Sequence, residues 1–513
     1  MHPRTWSQED SDYNSTLPGS TTGHANILQY LPTAIEEKLI DESALDTSLS
    51  RALTVRMQLG EFDADSQNPW KKLVWQHLVE SREHQALARE ATQKSLVLLK
   101  NTKEALPLSA TDLNSRKVAV VGPWATGFVN CSSDLVDTAR RGCDRGALYY
   151  GDYSPGRYEY AQANPWPNIT ARSNFTTTVA EGMAQILGEH STIVVEPGCS
   201  SHKGACNSSS FDRYGCVCEL NVKVAAVSAA VSDADVVIVA LGTGALTEAE
   251  GQDRENLMLP GHQEALLAAA IAAKGTEAKL ILLLFNAGGV VGSFGAGVDA
   301  IIAAGFPGQA TGLGIADVLS GRKSIAGRLA VTWPRALSQV PPIADYQLFH
   351  MHNSTYRYSQ PDPLFAFGAG LSFSTIAYSR PKLKAAAIAP CESAELSVTV
   401  TNTGKHPTDE TILVFAEWEN APNPTQDRQL VAFHRVSELA VGSTATVSLH
   451  IEARDLATLQ VPGVGARKSS WMTGGARVKM FVGPNQPRAR AQPTLTLTIS
   501  GPARELSGCP LGP

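Results

Sequence analysis

The chain has 513 residues, with 43 lysines and arginines against 49 aspartates and glutamates, so its formal net charge is −6. Hydrophobic residues make up 43% and charged residues 18%, which excludes an intrinsically disordered protein. The slight excess of acid argues against a nucleic-acid partner. The longest apolar runs are too short to predict a membrane-spanning helix.

Cysteines and glycosylation sequons together favour an oxidising, secretory setting. The eight cysteines are Cys131, Cys143, Cys199, Cys206, Cys216, Cys218, Cys391 and Cys509. The six N-x-S/T sequons start at Asn14, Asn130, Asn168, Asn174, Asn207 and Asn353. The first residues, MHPRTWSQED, contain no apolar segment of the kind that a signal peptide requires.

Two possible ligand sites are disfavoured by their spacing. Cys199, Cys206, Cys216 and Cys218 are separated by six, nine and one residues, which fits no paired zinc motif and favours two loop disulfides. Gly242-x-Gly244 lacks the third glycine and the helix start of a dinucleotide-binding turn. We therefore expect no metal and no cofactor.

The first half of the chain begins with helical patterns. From residue 31 apolar residues recur at helical spacing, with Leu45, Leu49, Ala52 and Leu53 on one face and Asp41 placed as an N-cap. Residues 63–80 read as a linker, and a strong helix is predicted over 83–100.

Strands and helices then alternate. Short continuous apolar runs predict buried strands at 117–123, 191–198, 235–244, 279–289 and 300–308. Helical patterns lie between them at 221–234 and 261–275, and a last helix follows from about 310. This alternation predicts a mostly parallel α/β sandwich over 116–345, whose ligands would sit at the carboxyl ends of the strands, after Leu241, Phe285 and Gly305.

After about residue 380 the hydrophobic period becomes two. Alternating runs at 394–404, 411–418, 445–451, 476–483 and 494–500 predict a small antiparallel β-sandwich of immunoglobulin or fibronectin type III character. It occupies 381–513, and residues 346–380 connect it to the α/β domain.

The sharpest chemical signal is the segment from Thr247 to Arg254, directly after the strand that ends at Leu241. It places Glu248, Glu250 and Asp253 beside Arg254. Crowded carboxylates raise one another's pKa, which is one way to keep a general acid protonated near neutral pH. A solvated acidic loop is the alternative reading of the same residues.

Several motifs, taken in order, resemble glycoside hydrolase family 3, and most closely its fungal β-xylosidase branch, with β-glucosidases next. They are SLVLLKN…LPL (95–108), KVAVVGPWA (117–125), EAEGQDR…LPGHQ (248–263), GFPGQATGLGIADVLSGRKSIAGRLAVTWP (305–334), LFAFGAGLSFSTI (364–376) and ENAPNPTQDRQLVAFHRV (419–436). The similarity covers about 31–485.

The resemblance implies a TIM-like barrel, an α/β sandwich and a fibronectin type III-like domain. It also implies hydrolysis of β-linked sugars with retention by two carboxylates, a barrel aspartate as nucleophile and a sandwich glutamate as acid/base. In the E-G-x-D-R form of the motif the acid/base maps onto Glu250, with Glu248 as runner-up. Asp253 and Arg254 match the D-R pair, whose implied role is to brace the loop.

The chain departs from this family at its beginning. A barrel takes about 200–250 residues, but residues 1–62 resemble only its last helices, so we interpret them as a truncated remnant, followed by a linker and helix over 63–115. No residue matches the nucleophile: Ser11-Asp12-Tyr13 follows the polar TWSQED, where a buried strand is required. We expect an incomplete form of the enzyme.

The expected function is an exo-acting retaining β-glycosidase of the xylan 1,4-β-xylosidase type, with β-linked oligosaccharides, foremost xylo-oligosaccharides, as substrates. The alternatives are a β-glucosidase, an inactive or carbohydrate-binding remnant, or a two-chain enzyme whose barrel is a separate polypeptide. The resemblance implies an extracellular, secreted protein. Oligomeric state and sugar specificity are left open.

Overall fold

The computed structural model describes most of the chain. The described residues are 31–114, 116–127, 129–130, 147–151, 176–199, 201–202, 216–217, 222–244, 247, 254–292, 294–342, 345, 355–358, 362–419, 427–460, 470–487 and 494–509. They belong to two compact units, which divide between Ser81 and Arg82.

The first unit is helical over its described residues. Residues 31–36 form a helix, followed by α1 (Glu42–Gln58), a 3-10 turn (Trp70–Lys72) and α2 (Trp75–Leu78). Asp41 does precede α1, but its side chain makes no capping hydrogen bond to the described backbone. No residue of α1 is buried: on the predicted apolar face Leu45, Leu49 and Ala52 are exposed and Leu53 is half-buried.

In the second unit the α/β part is built on a six-stranded sheet. Its strands are β1 (Val97–Asn101), β2 (Lys117–Val121), β3 (Thr192–Glu196), β4 (Val236–Gly242), β5 (Lys279–Phe285) and β6 (Ala300–Ala303). Their order is β1-β6-β5-β4-β2-β3, parallel except for β1, which pairs antiparallel with β6. This confirms the predicted α/β class.

Helices accompany these strands. They are α3 (Arg82–Ser95), α4 (Ala110–Leu113), α5 (Val179–Ile186), α6 (Val224–Val231), α7 (Gln263–Ala273) and α8 (Thr311–Leu319). Short 3-10 turns lie at Thr102–Glu104, Pro123–Ala125, Ala147–Tyr149, Gly308–Ala310, Leu337–Gln339 and Tyr356–Tyr358. None of the helices in the described ranges has both the length and the apolar run needed to cross a membrane.

One predicted helix is wrong at its C-terminal end. The sequence pattern predicts a helix through residue 100, but α3 ends at Ser95 and Val97–Asn101 is a strand. Leu98 is completely buried and pairs with Ile302 of β6. The apolar run gains more from completing the sheet edge than from extending the helix, an example of tertiary contacts overriding local pattern.

The sandwich contains more strands than the five predicted from the sequence. They are β7 (Ile376–Tyr378), β8 (Lys382–Leu383), β9 (Ala387–Ile388), β10 (Ala394–Asn402), β11 (Thr408–Glu419), β12 (Gln429–Leu439), β13 (Thr444–Ile451), β14 (Thr458–Gln460), β15 (Ser470–Thr473), β16 (Ala476–Gly483), β17 (Leu495–Ile499) and β18 (Arg504–Glu505). A 3-10 turn, Ala453–Leu456, joins β13 to β14, and another, Leu506–Gly508, follows β18.

These strands form two facing sheets and a small third one. β10 lies between β13 and the short strands β7 and β8, and the second sheet has the order β9-β17-β16-β11-β12. β9 pairs parallel with β17, a local departure from the predicted antiparallel arrangement. Buried and half-buried residues alternate along β10, as the period of two predicted.

Two cysteine observations bear on the predicted disulfides. Cys391, just before β10, is bonded to Cys509 near the chain's end, across a sequence separation of 118. Cys199 is also disulfide-bonded, in agreement with the preference for loop disulfides over zinc. Cys131, Cys143, Cys206 and Cys218 lie outside the described residues, as does the side chain of Cys216.

Candidate active site

The parallel strands bring their following loops to one edge of the sheet. β2, β4, β5 and β6 all end there, and every residue of β4 is buried. At the end of β2, Gly122 has a φ of +96°, and a Cβ there would lie 2.3 Å from the carbonyl oxygen of Ala240. Only glycine fits this turn, which lets the loop after β2 cross close over β4.

Aromatic side chains fill the space beneath this edge. Trp124 stacks on Phe285 with ring centroids 6.3 Å apart, and Tyr149 lies 5.5 Å from the same ring. The Tyr149 hydroxyl donates to the Trp124 carbonyl at 2.6 Å, and Trp124 Nε1 donates to the Leu148 carbonyl at 3.1 Å. All three rings are completely buried, so they support the edge and leave no face for a sugar to stack on.

The acidic segment leaves from the end of β4. Thr247 is held there: its hydroxyl donates to the Thr243 carbonyl at 2.6 Å. Glu248, Glu250 and Asp253 lie outside the described residues, so their roles stay predictions. Asp12 and the sequon asparagines Asn14, Asn168, Asn174, Asn207 and Asn353 also lie outside them, as does the side chain of Asn130.

Arg254 is described, and it contacts the neighbouring loop. Its Nη2 atom donates to the carbonyl oxygen of Gly289, after β5, at 3.1 Å. A Cβ on Gly288 would lie 3.3 Å from the same nitrogen. The arginine therefore ties the end of the acidic segment to the next loop along the sheet. Its expected pairing with Asp253 stays a prediction.

Gln263, which the sequence marks only as part of a motif, makes three side-chain hydrogen bonds at this edge. Its completely buried amide accepts a bond from Gly242 N at 2.9 Å and donates to the carbonyls of Gly242 and Pro260 at 2.8 and 2.9 Å. The motif LPGHQ marked the position, but the partners are 21 residues away or on a loop, so sequence reasoning could not assign them.

Two more polar groups near the edge were missed by sequence reasoning. Burial raises the pKa of Glu264, whose Oε1 has no hydrogen-bond partner among the described residues. Asn286, 5% exposed, donates to the Gly288 carbonyl, while its Oδ1 has no partner in the described part of the chain. Asn286, after an apolar run, and Glu264, in the first turn of α7, carry no sequence signal that separates them from ordinary surface residues.

Within the described ranges, no three or more His, Cys, Asp or Glu side chains are arranged to hold a metal ion. A cavity of about 600 Å³ lies apart from Arg254, between α3 and the sandwich. Ion pairs line it, including Arg435 with Asp409 at 2.8 Å, and Arg89, which bonds the buried Asp317 at 2.6 Å. The first pair lies within the sandwich and the second within the α/β part, and Arg435 also donates to the Lys94 carbonyl of α3 at 3.1 Å.

Both parts of the second unit match models of known protein families. Residues 96–373, more than half of the chain, match the family model described as the glycosyl hydrolase family 3 C-terminal domain. Residues 410–486 match a fibronectin type III-like domain. These spans agree with the predicted fold class, while the domain boundaries drawn from the sequence stay predictions.

The chain is 29% identical over 454 residues to a β-xylosidase from Formosa agariphila, covering 86% of this chain and 55% of that protein. A GH3 exo-β-xylosidase (XlnD) solved with a xylobiose aziridine probe has a TM-score of 0.67 at 22% identity, covering 93% of this chain and 56% of the other. A β-glucosidase from Erythrobacter marinus has a TM-score of 0.66 at 23% identity, with coverages of 92% and 57%.

The chain thus spans about half the length of the curated relatives it matches. The family match covers the sheet, the edge with Arg254 and Gln263, and the segment between them, in the order that the sequence motifs predicted. On this evidence the chain belongs to glycoside hydrolase family 3.

Proposed function

We propose that this chain is the acid/base-carrying part of an exo-acting, retaining β-glycosidase of the xylan 1,4-β-xylosidase type. The observation that carries the proposal is the position of the acidic segment. It starts at the end of β4, on the edge where parallel sheets bind their ligands, and is held at Thr247 and Arg254. The names of the xylosidase relatives support the choice of sugar.

In this proposal Glu250 works in two steps. It first gives its proton to the glycosidic oxygen while a nucleophilic carboxylate attacks the anomeric carbon, so that the sugar becomes covalently bound and the leaving alcohol departs. Glu250 then removes a proton from water, whose oxygen displaces the nucleophile and releases the sugar. The resemblance assigns the nucleophile to the barrel of the family and not to the α/β part. Glu248 is the second candidate for the acid/base.

The test compares Glu250→Gln with Glu248→Gln in the full gene product from its source, assayed on aryl β-xylosides. A leaving group that needs protonation should be hydrolysed about 10²–10⁴-fold more slowly by the acid/base variant, while a good leaving group is affected far less. We expect this pattern for Glu250→Gln only. Equal rates in wild type and both variants would contradict the assignment, and a product of inverted configuration would contradict the mechanism.

A β-glucosidase is the second candidate, because the fold matches that of the Erythrobacter marinus enzyme as well as that of the xylosidase. The substrates of the two candidate enzymes differ by the hydroxymethyl group on C5, which glucose has and xylose lacks. The ratio of kcat/KM for aryl β-xyloside and aryl β-glucoside decides between them. A higher kcat/KM for the aryl β-glucoside would replace the xylosidase assignment and leave the assignment of Glu250 as the acid/base unchanged.

We place the protein outside the cell. The bonded Cys391, Cys509 and Cys199 support an oxidising compartment, and the six sequons add to that argument. The check is mass spectrometry of the source's culture fluid before and after deglycosylation. Finding the protein only inside cells, unglycosylated and reduced, would overturn this placement.

A further inference from the structure

The side chain of Gln263 occupies an unusual position between strand and loop. It is the first residue of α7 and is completely buried. Both polar atoms of its side-chain amide bond to the backbone of Gly242. The oxygen accepts from the Gly242 N–H, and the nitrogen donates to the Gly242 carbonyl. The second bond of the nitrogen goes to Pro260. All three bonds fix the orientation of the amide, because exchanging O and N would set acceptors against acceptors.

The backbone of Gly242 explains why this amide is needed. Thr243 N–H bonds the Phe285 carbonyl at 2.8 Å, so the polar groups of Gly242 face away from β5, toward β2. The pairing of β2 with β4 ends at Val121 opposite Val239, too early to reach them. Gln263 therefore takes the place of the missing strand residue and satisfies a buried N–H and carbonyl that would otherwise be costly.

Gly242 and Gln263 flank the acidic segment in the sequence. The sequence between them, 243–262, contains both candidate acid/base residues. Its second half is also fixed, since Val291 N donates to the Leu257 carbonyl at 2.7 Å and Leu259 is buried. Thr247 precedes the residues 248–253 in the sequence and Arg254 follows them. Both flanking residues are hydrogen-bonded to other loops or strand ends, so the chain is anchored before and after this segment.

We propose that Gln263 is a positioning residue for the acid/base. By bonding both polar groups of Gly242 it sets the point at which β4 ends and holds the two ends of the acidic segment together. The effect of Gln263 on catalysis rests on the proposed function, whereas its anchoring of the acidic segment does not depend on that function. Gln263 touches no reacting atom in this scheme. Its contribution is the orientation of the carboxylate that protonates the leaving group.

The first test is hydrogen exchange of the chain with Gln263→Met, which keeps the length of the side chain and removes all three bonds. Gln93→Met is the matched control, because Gln93 is also a buried glutamine, bonded to Asp317 at 2.6 Å on another helix. We expect amides of 242–262 to exchange about tenfold faster in Gln263→Met only, with β5 unchanged. Equal exchange of this segment in both variants would overturn the proposal.

The second test measures the leaving-group dependence of the full gene product. A displaced acid should lower kcat for alkyl or electron-rich aryl β-glycosides by about tenfold or more and leave dinitrophenyl glycosides nearly unchanged. Gln263→Glu keeps an acceptor for Gly242 N–H but sets a carboxylate oxygen against the carbonyls of Gly242 and Pro260, so it should not restore the wild-type dependence. A uniform loss on all substrates would contradict a positioning role. If the wild type hydrolysed no β-glycoside, the proposed function and the catalytic part would fall, while hydrogen exchange would still decide the structural part.

Discussion

Nη2 of Arg328 lies 3.3 Å from Oε1 of Glu410, and both side chains are almost completely buried, at 7% and 3% exposure. The arginine follows α8 in the α/β part and the glutamate belongs to β11 of the sandwich. Arg328 Nε also donates to the Pro484 carbonyl at 2.7 Å, and the Tyr378 hydroxyl donates to Glu410. The two parts of the second unit are therefore joined through a buried charge pair.

Replacing Arg328 by Met should destabilise the protein strongly. The substitution leaves the Glu410 carboxylate buried without its cation, a loss of about 3–5 kcal/mol in the free energy of unfolding. Changing both residues to Met should cost less than changing Arg328 alone, because no uncompensated charge is left inside. Urea titrations of the two variants and the wild type measure these differences.

The exposed pair Lys405–Glu104 gives the control for this prediction. It also joins the sandwich to the α/β part, with Nζ and Oε1 2.8 Å apart, but both side chains are 73% exposed. Lys405→Met should change stability little, because water screens such pairs. Equal losses in the free energy of unfolding for Lys405→Met and Arg328→Met would show that burial of the charge pair does not determine its contribution to stability.

Glu410 should also make stability depend on pH. Burial raises its pKa, although Arg328 and the Tyr378 hydroxyl act in the opposite direction. A carboxyl group that holds its proton more tightly in the folded chain stabilises that chain fully below its ordinary pKa of about 4.3, and this stabilisation is lost as the pH rises through the folded value.

The measurement is the free energy of unfolding of wild type and Glu410→Gln from about pH 4 upward. Since the glutamine does not titrate, the stability of the wild type relative to this variant should fall as the pH rises. A relative stability that grows with pH would show that the ion pair with Arg328 dominates over burial.

Much of the fold could be predicted from the sequence, because the physics is local. Continuous apolar runs such as Val236–Gly242 and alternating ones such as Ala394–Asn402 indicate which faces are buried. Strand β12 was missed because it is a sheet edge with weak alternation, where even Phe433 is 70% exposed. The local pattern predicts helix at β1, because the pairing of this strand with β6 depends on residues about 200 positions away.

The site was predictable to a smaller extent. The position of the acidic segment follows from the end of β4, and the motif picks out Glu250 and Arg254. The bonds of Gln263 to Gly242, and the meeting of Arg328 with Glu410, join residues that no spacing rule connects. Such contacts depend on tertiary structure, so an isolated sequence gives the residue type without its partner.

The bond between Cys391 and Cys509 should stabilise the sandwich by closing a long loop. Removing it with Cys391→Ser and Cys509→Ser should cost about 2–5 kcal/mol, since the unfolded chain gains the freedom of a loop with a separation of 118 residues. Denaturation in urea without reductant measures the loss. Reductant should then lower the stability of the double variant further, because Cys199 is also disulfide-bonded. An unchanged midpoint in the double variant would contradict a stabilising role.

The 513-residue polypeptide by itself should not turn over aryl β-xylosides. A retaining hydrolase needs a nucleophile about 5–5.5 Å from its acid/base, and the sequence matches the family's motif only for the second of these. Release of nitrophenol from an aryl β-xyloside measures turnover, and calorimetry with xylobiose measures binding. Binding without turnover would favour a carbohydrate-binding role for this polypeptide. Rapid hydrolysis that Glu250→Gln abolishes would show that it carries a nucleophile of its own, which its motifs do not reveal.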